Sequence, residues 1–306
     1  MERVWGGRAL EAFGKPLPEG AVIGESWEVV DRPEAQSVLA SGPLAGTDLH
    51  TLWSGPDRER IFGARAHGAG DRFPILVKLL DARDTLSVQV HPPTHRAEEL
   101  GGEPKNELWY LAGATEDAHL FAGLRSGVTR ESFSAALEAG EDVSEMLHRL
   151  PVAAGDALFI PSGRVHAIGA GCLIVEIQQN SDTTYRVFDF DRPGLDGAIR
   201  ELHVPQSLTS IDFEDVEPAL RPPGDGVVES NAFFAVTRLT LSDEPIDVTV
   251  PGECALVAVL CGEASCGSER FGPGAFFLVP ANGELPVGGP CEILVTELPS
   301  PVNRGV

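Results

Sequence analysis

Short stretches in which apolar and polar residues alternate make up most of this chain, and a period of two is typical of β-strands. Residues 86–92 are the clearest example, because the aliphatic side chains fall on one face while Gln89 and His91 fall on the other. Residues 73–80 are apolar except for Lys78, which predicts a buried strand. Residues 105–111 predict a further strand that carries a carboxylate near its start. The pattern favours a mainly β protein with one polar strand face available for chemistry.

A helical period appears in one region only. Over residues 129–150, apolar side chains such as Phe133 and Leu147 recur at spacings that place them on one face. Thr129 is a suitable N-cap, and Gly140 interrupts the pattern. We therefore predict two short helices in this region, inserted between strands.

Residues 155–166 combine an apolar strand with turn residues at both ends. The spacing is Gly155, five residues, Pro161, one residue, Gly163, two residues and His166. Glycine and proline reverse the chain at either end of the strand, so that His166 begins the next one. This spacing matches the second signature of the cupin family, a superfamily of jelly-roll barrels.

The same pattern recurs near the C-terminus without its histidine. Residues 274–280 repeat the spacing of glycine, five residues and proline. Residues 256–262, which precede this second copy, resemble residues 108–113, which precede the first copy. An internal repeat of this kind predicts a second barrel of the same type that lacks a metal.

We accordingly predict a mainly β chain of two cupin-like jelly-roll barrels, with a small helical insertion in the first. The first, a catalytic metal-binding domain, is predicted over residues 1–205, with the insertion at about 129–150. The second, metal-free domain is predicted over residues 206–306. A polar, turn-rich segment at 192–200 precedes this border.

Composition narrows the range of partners. The 306-residue chain has 46 acidic and 23 basic residues and a formal net charge of -23, which argues against nucleic acid or an anionic membrane as a partner. An anionic substrate therefore requires a local cationic pocket.

The chain has no apolar run of bilayer length and no charged, apolar leader, so we expect a cytoplasmic protein. Its five cysteines lack the spacing of a disulfide framework or a zinc ribbon. The sequence does not indicate an oligomeric state.

A candidate metal site emerges from three predicted strands of the first barrel. The residues are Gln89, His91, Glu107 and His166, which offer one amide oxygen, one carboxylate and two imidazoles. A mixed nitrogen and oxygen set suits zinc or another divalent first-row metal and leaves room for substrate. Each residue also has an ordinary structural explanation, but four compatible ligand types on adjacent strands favour a metal.

Six segments together resemble type I mannose-6-phosphate isomerases in their shorter bacterial form. They cover most of the first 205 residues in order: 23–28, 77–81, 86–92, 105–111, 159–166 and 181–186. The resemblance implies two cupin barrels, one zinc ion per chain on the four candidate ligands, and the interconversion of mannose 6-phosphate and fructose 6-phosphate. It also implies that Arg186 is catalytic. The large helical domain of the longer members is absent here.

Charge considerations agree with a role for Arg186. Aldose–ketose isomerisation passes through an enediolate, whose negative charge a metal and a guanidinium can both stabilise. Ser87 and Lys105 share strand parity with Gln89 and Glu107, respectively, so both can face the same cavity. We assign Ser87, Lys105 and Arg186 to the substrate and its phosphate without deciding which group holds the phosphate, and we name Arg186, Glu176 and Lys105 as candidate catalytic residues. Lys105 is one of three lysines in a chain with 20 arginines.

Three hypotheses for the general base remain open. Glu176 follows His166 across the tight turn at 169–171, so its carboxylate can return beside the metal and shuttle the proton. Hydroxide on the metal is an equal candidate for the base. In the third reading, Glu176 orients His166 as a carboxylate commonly does beside a metal-bound imidazole.

Other functions remain open from the residues alone. An iron cupin oxygenase would use His91, Glu107 and His166 as its triad, and a fourth ligand at Gln89 would leave it too few open positions. A sugar-binding regulatory cupin would retain the pocket but has no need for Arg186. A β-sandwich interaction protein has no use for the complete ligand set.

Overall fold

A computed structural model describes residues 1–281, 283 and 285–299. The chain is mainly β, as the alternating pattern predicts. In chain order the strands are β1 (Glu2–Gly7), β2 (Glu25–Val29), β3 (Asp31–Arg32), β4 (Ala35–Gln36), β5 (Ile75–Ala82), β6 (Val88–Val90), β7 (Glu107–Ala114), β8 (His119–Leu124), β9 (Leu147–Pro151), β10 (Ala157–Ile160), β11 (His166–Ile168), β12 (Cys172–Gln179), β13 (Tyr185–Phe188), β14 (Gly226–Ser230), β15 (Ala235–Leu241), β16 (Ala255–Gly262), β17 (Ala264–Cys266), β18 (Glu269–Phe271), β19 (Phe276–Val279), β20 (Val287–Gly288) and β21 (Cys291–Glu297).

The helices are short. The α-helices are α1 (Leu49–Ser54), α2 (Arg58–Phe62), α3 (Thr94–Ala97), α4 (Arg130–Ala139) and α5 (Val204–Ser210). The 3-10 helices are Ala9–Phe13, Ala64–Ala66 and Val143–Met146. Within the described residues, no helix is both long enough and apolar enough to cross a membrane.

Two five-stranded sheets carry the predicted site residues. One has the order β10-β7-β12-β5-β2, and the other has the order β13-β6-β11-β8-β9. An apolar cluster joins them, with Trp109 and Ile174 from the first sheet and Leu120 and Ile168 from the second. The inner faces of these sheets therefore share one core.

The outer face of the second sheet is covered by helices. Val88 and Val90 point to this side and pack in a cluster with Phe133 of α4. The alternation is confirmed for Val88 and Val90, which pack outward and leave Gln89 for the inner face. It is wrong for Leu86, which lies before the start of β6 and packs in the inner cluster with Trp109. The strand itself is short, since only Val88–Val90 is paired.

The helical insertion is confirmed in its first half and wrong in its last residues. Helix α4 begins after Thr129, whose hydroxyl accepts from the backbone N–H of Ser132, and it ends at Gly140 in the left-handed conformation. Residues 143–146 form a 3-10 helix. Leu147–Pro151 is strand β9, paired with β8. Leu147 and Leu150 face different apolar clusters, so the period here is that of a strand.

The C-terminal region contains a five-stranded sheet of related design. Its order, β19-β16-β21-β15-β14, places β16 between β19 and β21, just as β7 lies between β10 and β12 in the first sheet. The repeat predicted from residues 256–262 and 274–280 therefore corresponds to equivalent antiparallel pairs. A smaller sheet, β18-β17-β20, lies in the same region.

Grouped by proximity, the chain forms two compact units. One comprises residues 1–8, 17–26 and 79–223, and the other comprises residues 9–16, 27–78 and 224 onward. Each unit therefore combines distant parts of the sequence. The domain border predicted between 205 and 206 stays a prediction, and residues 300–306 of the predicted second domain lie outside the described chain.

Candidate metal centre

Strand pairing brings three predicted site residues into one row. In the antiparallel pair of β6 with β11, Gln89 lies opposite His166. In the pair of β13 with β6, Arg186 lies opposite Gln89. Directly opposed residues of antiparallel strands project from the same face of the sheet. Arg186, Gln89 and His166 therefore share the inner face, and His91 joins them by strand parity.

Glu107 reaches the same place from the first sheet. Its Oε1 lies 3.6 Å from Nε2 of His91 and 3.6 Å from Nε2 of His166. The two imidazole rings lie 4.8 Å apart between centroids. All three side chains are buried. Their ligand atoms lie within 4.8 Å of one another, so the group could hold a metal ion.

Each histidine is oriented by a backbone carbonyl. Nδ1 of His91 donates to the carbonyl of Thr183 at 2.9 Å, and Nδ1 of His166 donates to the carbonyl of Arg164 at 2.8 Å. These bonds place the proton on Nδ1 and leave Nε2 of each ring with a free lone pair, as metal ligation requires. Nε2 of His91 is buried and has no hydrogen-bond partner among the described residues.

The distances from Glu107 to the two histidines fit a shared ion. The 3.6 Å distances from Nε2 to Oε1 are too long for a good hydrogen bond. A tetrahedral zinc with bonds of about 2.0–2.2 Å separates two ligand atoms by about 3.4 Å. The buried unpaired nitrogen and this spacing both match the donor set of a divalent metal.

The electrostatics keep these groups in the state that a metal binds. Burial lowers the pKa of His91, and the charge of Lys105 lowers it further. Burial, and next the charge of His91, lowers the pKa of His166 to about 3. Burial alone would raise the pKa of Glu107, but the charges of Lys105 and the histidines hold it well below its usual range. Two neutral imidazoles and one carboxylate are therefore present at neutral pH.

Gln89 lies beside this cluster on the inner face. Its amide Nε2 donates to Oγ of the buried Ser87 at 3.1 Å. That bond fixes the amide orientation and leaves its oxygen as the atom available to a metal. Ligation by Gln89 stays a prediction.

Lys105 and Glu176 lie against the cluster in a chain of buried polar contacts. Nζ of Lys105 lies 2.7 Å from Oε2 of Glu107 and 3.7 Å from Oε1 of Glu176. Oε2 of Glu176 accepts a hydrogen bond of 3.0 Å from the indole Nε1 of Trp109. Burial alone would lower the pKa of Lys105, but the two carboxylates raise it above its ordinary value. Lys105 therefore carries its positive charge at neutral pH.

Arg186 is held from its backbone and from its side chain. Its backbone N–H donates to Nδ1 of His203 at 3.0 Å, and its Nη1 donates to the carbonyl of Glu201 at 2.8 Å. Burial, and next the charge of Arg200, lowers the pKa of Arg186. Nε of Arg186 is buried and makes no hydrogen bond within the described part of the chain.

The sequence reasoning missed an arginine cluster beside Arg186. The carboxylate of the buried Asp189 accepts from Arg192 at 3.0 Å and from Arg200 at 2.6 Å. Nη1 of Arg192 also donates to the carbonyl of Thr85, at the approach to β6. The sequence pattern predicts only a polar, turn-rich segment at residues 192–200. Two arginines, Arg192 and Arg200, begin and end that segment in the sequence. Only the folded chain brings both of them to the carboxylate of Asp189.

The chain is similar to several known proteins. A family model described as the catalytic domain of type I phosphomannose isomerase matches residues 1–110. The mannose-6-phosphate isomerase ManA of Bacillus subtilis (strain 168) is 36% identical over 315 residues, which cover 97% of this chain and 96% of that protein. The mannose-6-phosphate isomerase of Streptococcus mutans is 36% identical over 282 residues, covering 88% and 86%. A crystal structure of the mannose 6-phosphate isomerase from Bacillus subtilis matches with a TM-score of 0.82 and 28% identity, covering 97% of this chain and 96% of that one.

Proposed function

The chain belongs to the type I mannose-6-phosphate isomerase family, and from this premise we propose that it interconverts mannose 6-phosphate and fructose 6-phosphate through an enediolate. The observation that carries the proposal is the buried cluster of His91, Glu107 and His166 with Arg186 on the same sheet face. This arrangement joins a metal site to a guanidinium, as the reaction needs. The residue roles given below are parts of the same proposal.

We assign zinc to the site, one ion per chain, with Gln89 joining His91, Glu107 and His166 as ligands. Bound there, zinc would act as a Lewis acid on the oxygens at C1 and C2 of the sugar. The two-histidine, one-carboxylate set also occurs with iron in oxygenases. Gln89, whose amide oxygen is left available by its bond to Ser87, supports the isomerase over that alternative.

The reaction moves one hydrogen from C2 to C1 and one proton from O2 to O1. Negative charge therefore develops on both oxygens, and we assign its stabilisation to Arg186. We assign the carbon-bound proton to Glu176, which would take it from C2 and return it to C1. His166 is already oriented by the carbonyl of Arg164, which supports this role over the interpretation in which Glu176 orients His166.

Lys105 and Ser87 are assigned to the sugar end of the substrate. The ammonium group of Lys105 lies between two carboxylates, so its charge is balanced locally. A proton donor of this kind can hold a sugar hydroxyl and orient Glu176. Ser87 lies next to Gln89 on the inner face and offers a hydroxyl to the same substrate.

We place the phosphate at the arginine cluster. Arg192 and Arg200 share the carboxylate of Asp189, and the charges of Asp189 and Glu201 also act on Arg186. The three guanidinium groups outnumber these two carboxylates, so this patch keeps an excess of positive charge in a strongly acidic protein. Nε of Arg192, like that of Arg186, is buried without a hydrogen-bond partner among the described residues. Guanidinium groups suit phosphate oxygens in charge and geometry. A hexose phosphate with its carbonyl at the metal end would extend its phosphate along β6 toward this cluster.

The fold is part of the proposal as well. The sheet with β7 between β10 and β12 and the C-terminal sheet with β16 between β19 and β21 place the repeated strand between equivalent neighbours. This supports two cupin-like jelly-roll barrels with the metal in the first. A cytoplasmic location remains our expectation, since the proposed substrate is a phosphorylated metabolite. Neither nucleic acid nor membrane is proposed as a partner.

The test is a direct assay. Zinc-reconstituted protein is incubated with mannose 6-phosphate, fructose 6-phosphate is followed over time, and an EDTA-treated sample is run in parallel. We expect conversion that EDTA abolishes and added zinc restores. A zinc-loaded protein that does not convert the sugar would overturn the isomerase, and oxygen uptake or tight sugar binding without turnover would then favour the oxygenase or the regulatory protein.

A further inference from the structure

Trp109 connects the two halves of the proposed active site. Its side chain is buried at 2% exposure. The indole Nε1 donates to Oε2 of Glu176 at 3.0 Å. The edge of the ring lies against His166, with ring centroids 5.2 Å apart and an interplanar angle of 79°. One side chain thus touches a carboxylate on one sheet and a metal-binding imidazole on the other.

The sheet register makes this contact rigid. Trp109 lies two residues after Glu107 on β7, so both project from the same face. In the pair of β12 with β7, Glu176 lies directly opposite Trp109. The donor and the acceptor are therefore fixed to adjacent backbones rather than to loops, a placement that holds a functional group within a narrow range of orientations.

The carboxylate of Glu176 accepts a hydrogen bond at one oxygen and faces a cation at the other. Trp109 donates to Oε2, and the ammonium group of Lys105 lies 3.7 Å from Oε1. The hydrogen bond at one oxygen and the electrostatic attraction at the other both favour a single orientation of the carboxylate. A base must lie within hydrogen-bond reach of the proton it takes, and small displacements are costly in rate.

We infer that Trp109 is a positioning residue, which fixes the Glu176 carboxylate for proton transfer while its ring edge packs against His166. This inference rests on the proposed function. It concerns the indole N–H and not the apolar bulk of the ring, so a substitution that keeps the bulk separates the two contributions.

The experiment compares Trp109→Phe with the wild type. We expect kcat to fall by roughly 10- to 100-fold, with KM for mannose 6-phosphate changed less than about threefold and bound zinc unchanged. The matched control is Trp53→Phe, because Trp53 is also fully buried and its Nε1 donates to the carbonyl of Gly70 at 3.2 Å. We expect the control to retain the wild-type kcat.

A double-mutant cycle separates positioning from general packing. If Trp109 acts through Glu176, adding Trp109→Phe to Glu176→Gln should cost almost nothing further. Equal losses in both backgrounds, or a wild-type kcat in Trp109→Phe, would overturn the positioning role. An inactive zinc-loaded wild type would instead overturn the proposed function itself.

A spectroscopic measurement covers the case in which Trp109→Phe does not fold. The chain has four tryptophans, and the indole N–H signals of 15N-labelled protein report their hydrogen bonds. Glu176→Gln should shift the signal of Trp109 and leave that of Trp53 in place. An unshifted Trp109 signal would show that the bond does not exist in solution.

Discussion

The ammonium nitrogen of Lys105 lies 2.7 Å from Oε2 of Glu107, inside a buried site. Lys105 lies two positions before Glu107, which is the first residue of β7. This pairing holds the pKa of Glu107 well below its usual range, against the effect of burial, and raises that of Lys105. A buried cation thus keeps a buried carboxylate ionised and ready to bind a metal.

Replacing His166 by alanine should remove the metal. The variant loses one of the nitrogen ligands of the cluster, so we expect zinc affinity to fall by more than about 100-fold and isomerase activity to disappear. Metal content after dialysis and the rate of conversion are the measurements. His67→Ala is the control, because the His67 side chain is 83% exposed, and it should retain both. Full zinc occupancy in His166→Ala would contradict the ligand assignment.

Replacing Arg186 by alanine should separate metal binding from turnover. Removal of the guanidinium takes away stabilisation of the developing oxyanion, so we expect kcat to fall by about 100- to 1,000-fold with zinc content unchanged. Arg186→Lys should recover only part of the rate, since an ammonium group lacks the planar fork. Arg149→Ala, at an exposed position on β9, is the control for loss of an arginine. A near-normal rate in Arg186→Ala would remove Arg186 from the mechanism.

Replacing Arg192 by alanine should weaken phosphate recognition. A charge-assisted hydrogen bond contributes about 1.5–3 kcal/mol, so we expect KM for mannose 6-phosphate to rise by roughly 10- to 100-fold. Inhibition by inorganic phosphate should weaken in parallel. Arg125→Ala, an exposed arginine whose Nη1 donates to the carbonyl of Glu145, should leave both constants unchanged. Equal phosphate inhibition in the two variants would place the phosphate elsewhere.

The metal-free protein should be acid-labile. The pKa of His166 is about 3 in the folded chain because of burial, against about 6.5 for an exposed histidine. The unfolded state therefore binds the proton first as the pH falls below about 6.5, and stability is lost down to the folded pKa. The lowered pKa of His91 acts in the same direction.

We expect the free energy of unfolding of EDTA-treated protein to fall by on the order of a few kcal/mol between pH 7 and pH 4. Thermal melts across this range measure it. His166→Gln removes one titrating group and should show a shallower slope. Parallel slopes in the two proteins would argue that His166 is not buried as a neutral imidazole.

A single thiol should react in the folded protein. Cys261 is exposed, and the other four cysteines are buried. Burial raises the pKa of Cys172 and of Cys254 to about 12, so their thiolates are scarce at pH 8. A disulfide reagent at pH 8 should titrate one thiol rapidly, and all five in guanidinium chloride. Cys261→Ser should abolish the rapid phase, and a persistent rapid phase would show that a buried thiol is accessible.

The sequence alone determined the short strands that carry Gln89 and His166, and the polar face of the first of them. Alternation at residues 86–92 placed Gln89 and His91 on one side, because successive side chains of a strand must point to opposite faces. The turn spacing at 155–166 delivered His166 to the start of β11 for an equally local reason. Thr129 and Gly140 likewise marked the ends of α4 through capping preferences that act within a few residues.

Only the tertiary structure decided which strands meet. Strand pairing places Arg186 and His166 on either side of Gln89, and sheet packing brings in Glu107. The bond from Trp109 to Glu176 and the arginines around Asp189 depend on the same long-range pairing. Local periodicity determines on which face of a strand a residue lies, but it does not determine which other strand or sheet packs against that face. The partner follows from burying both sheets in one core, a global condition that no short stretch of sequence encodes.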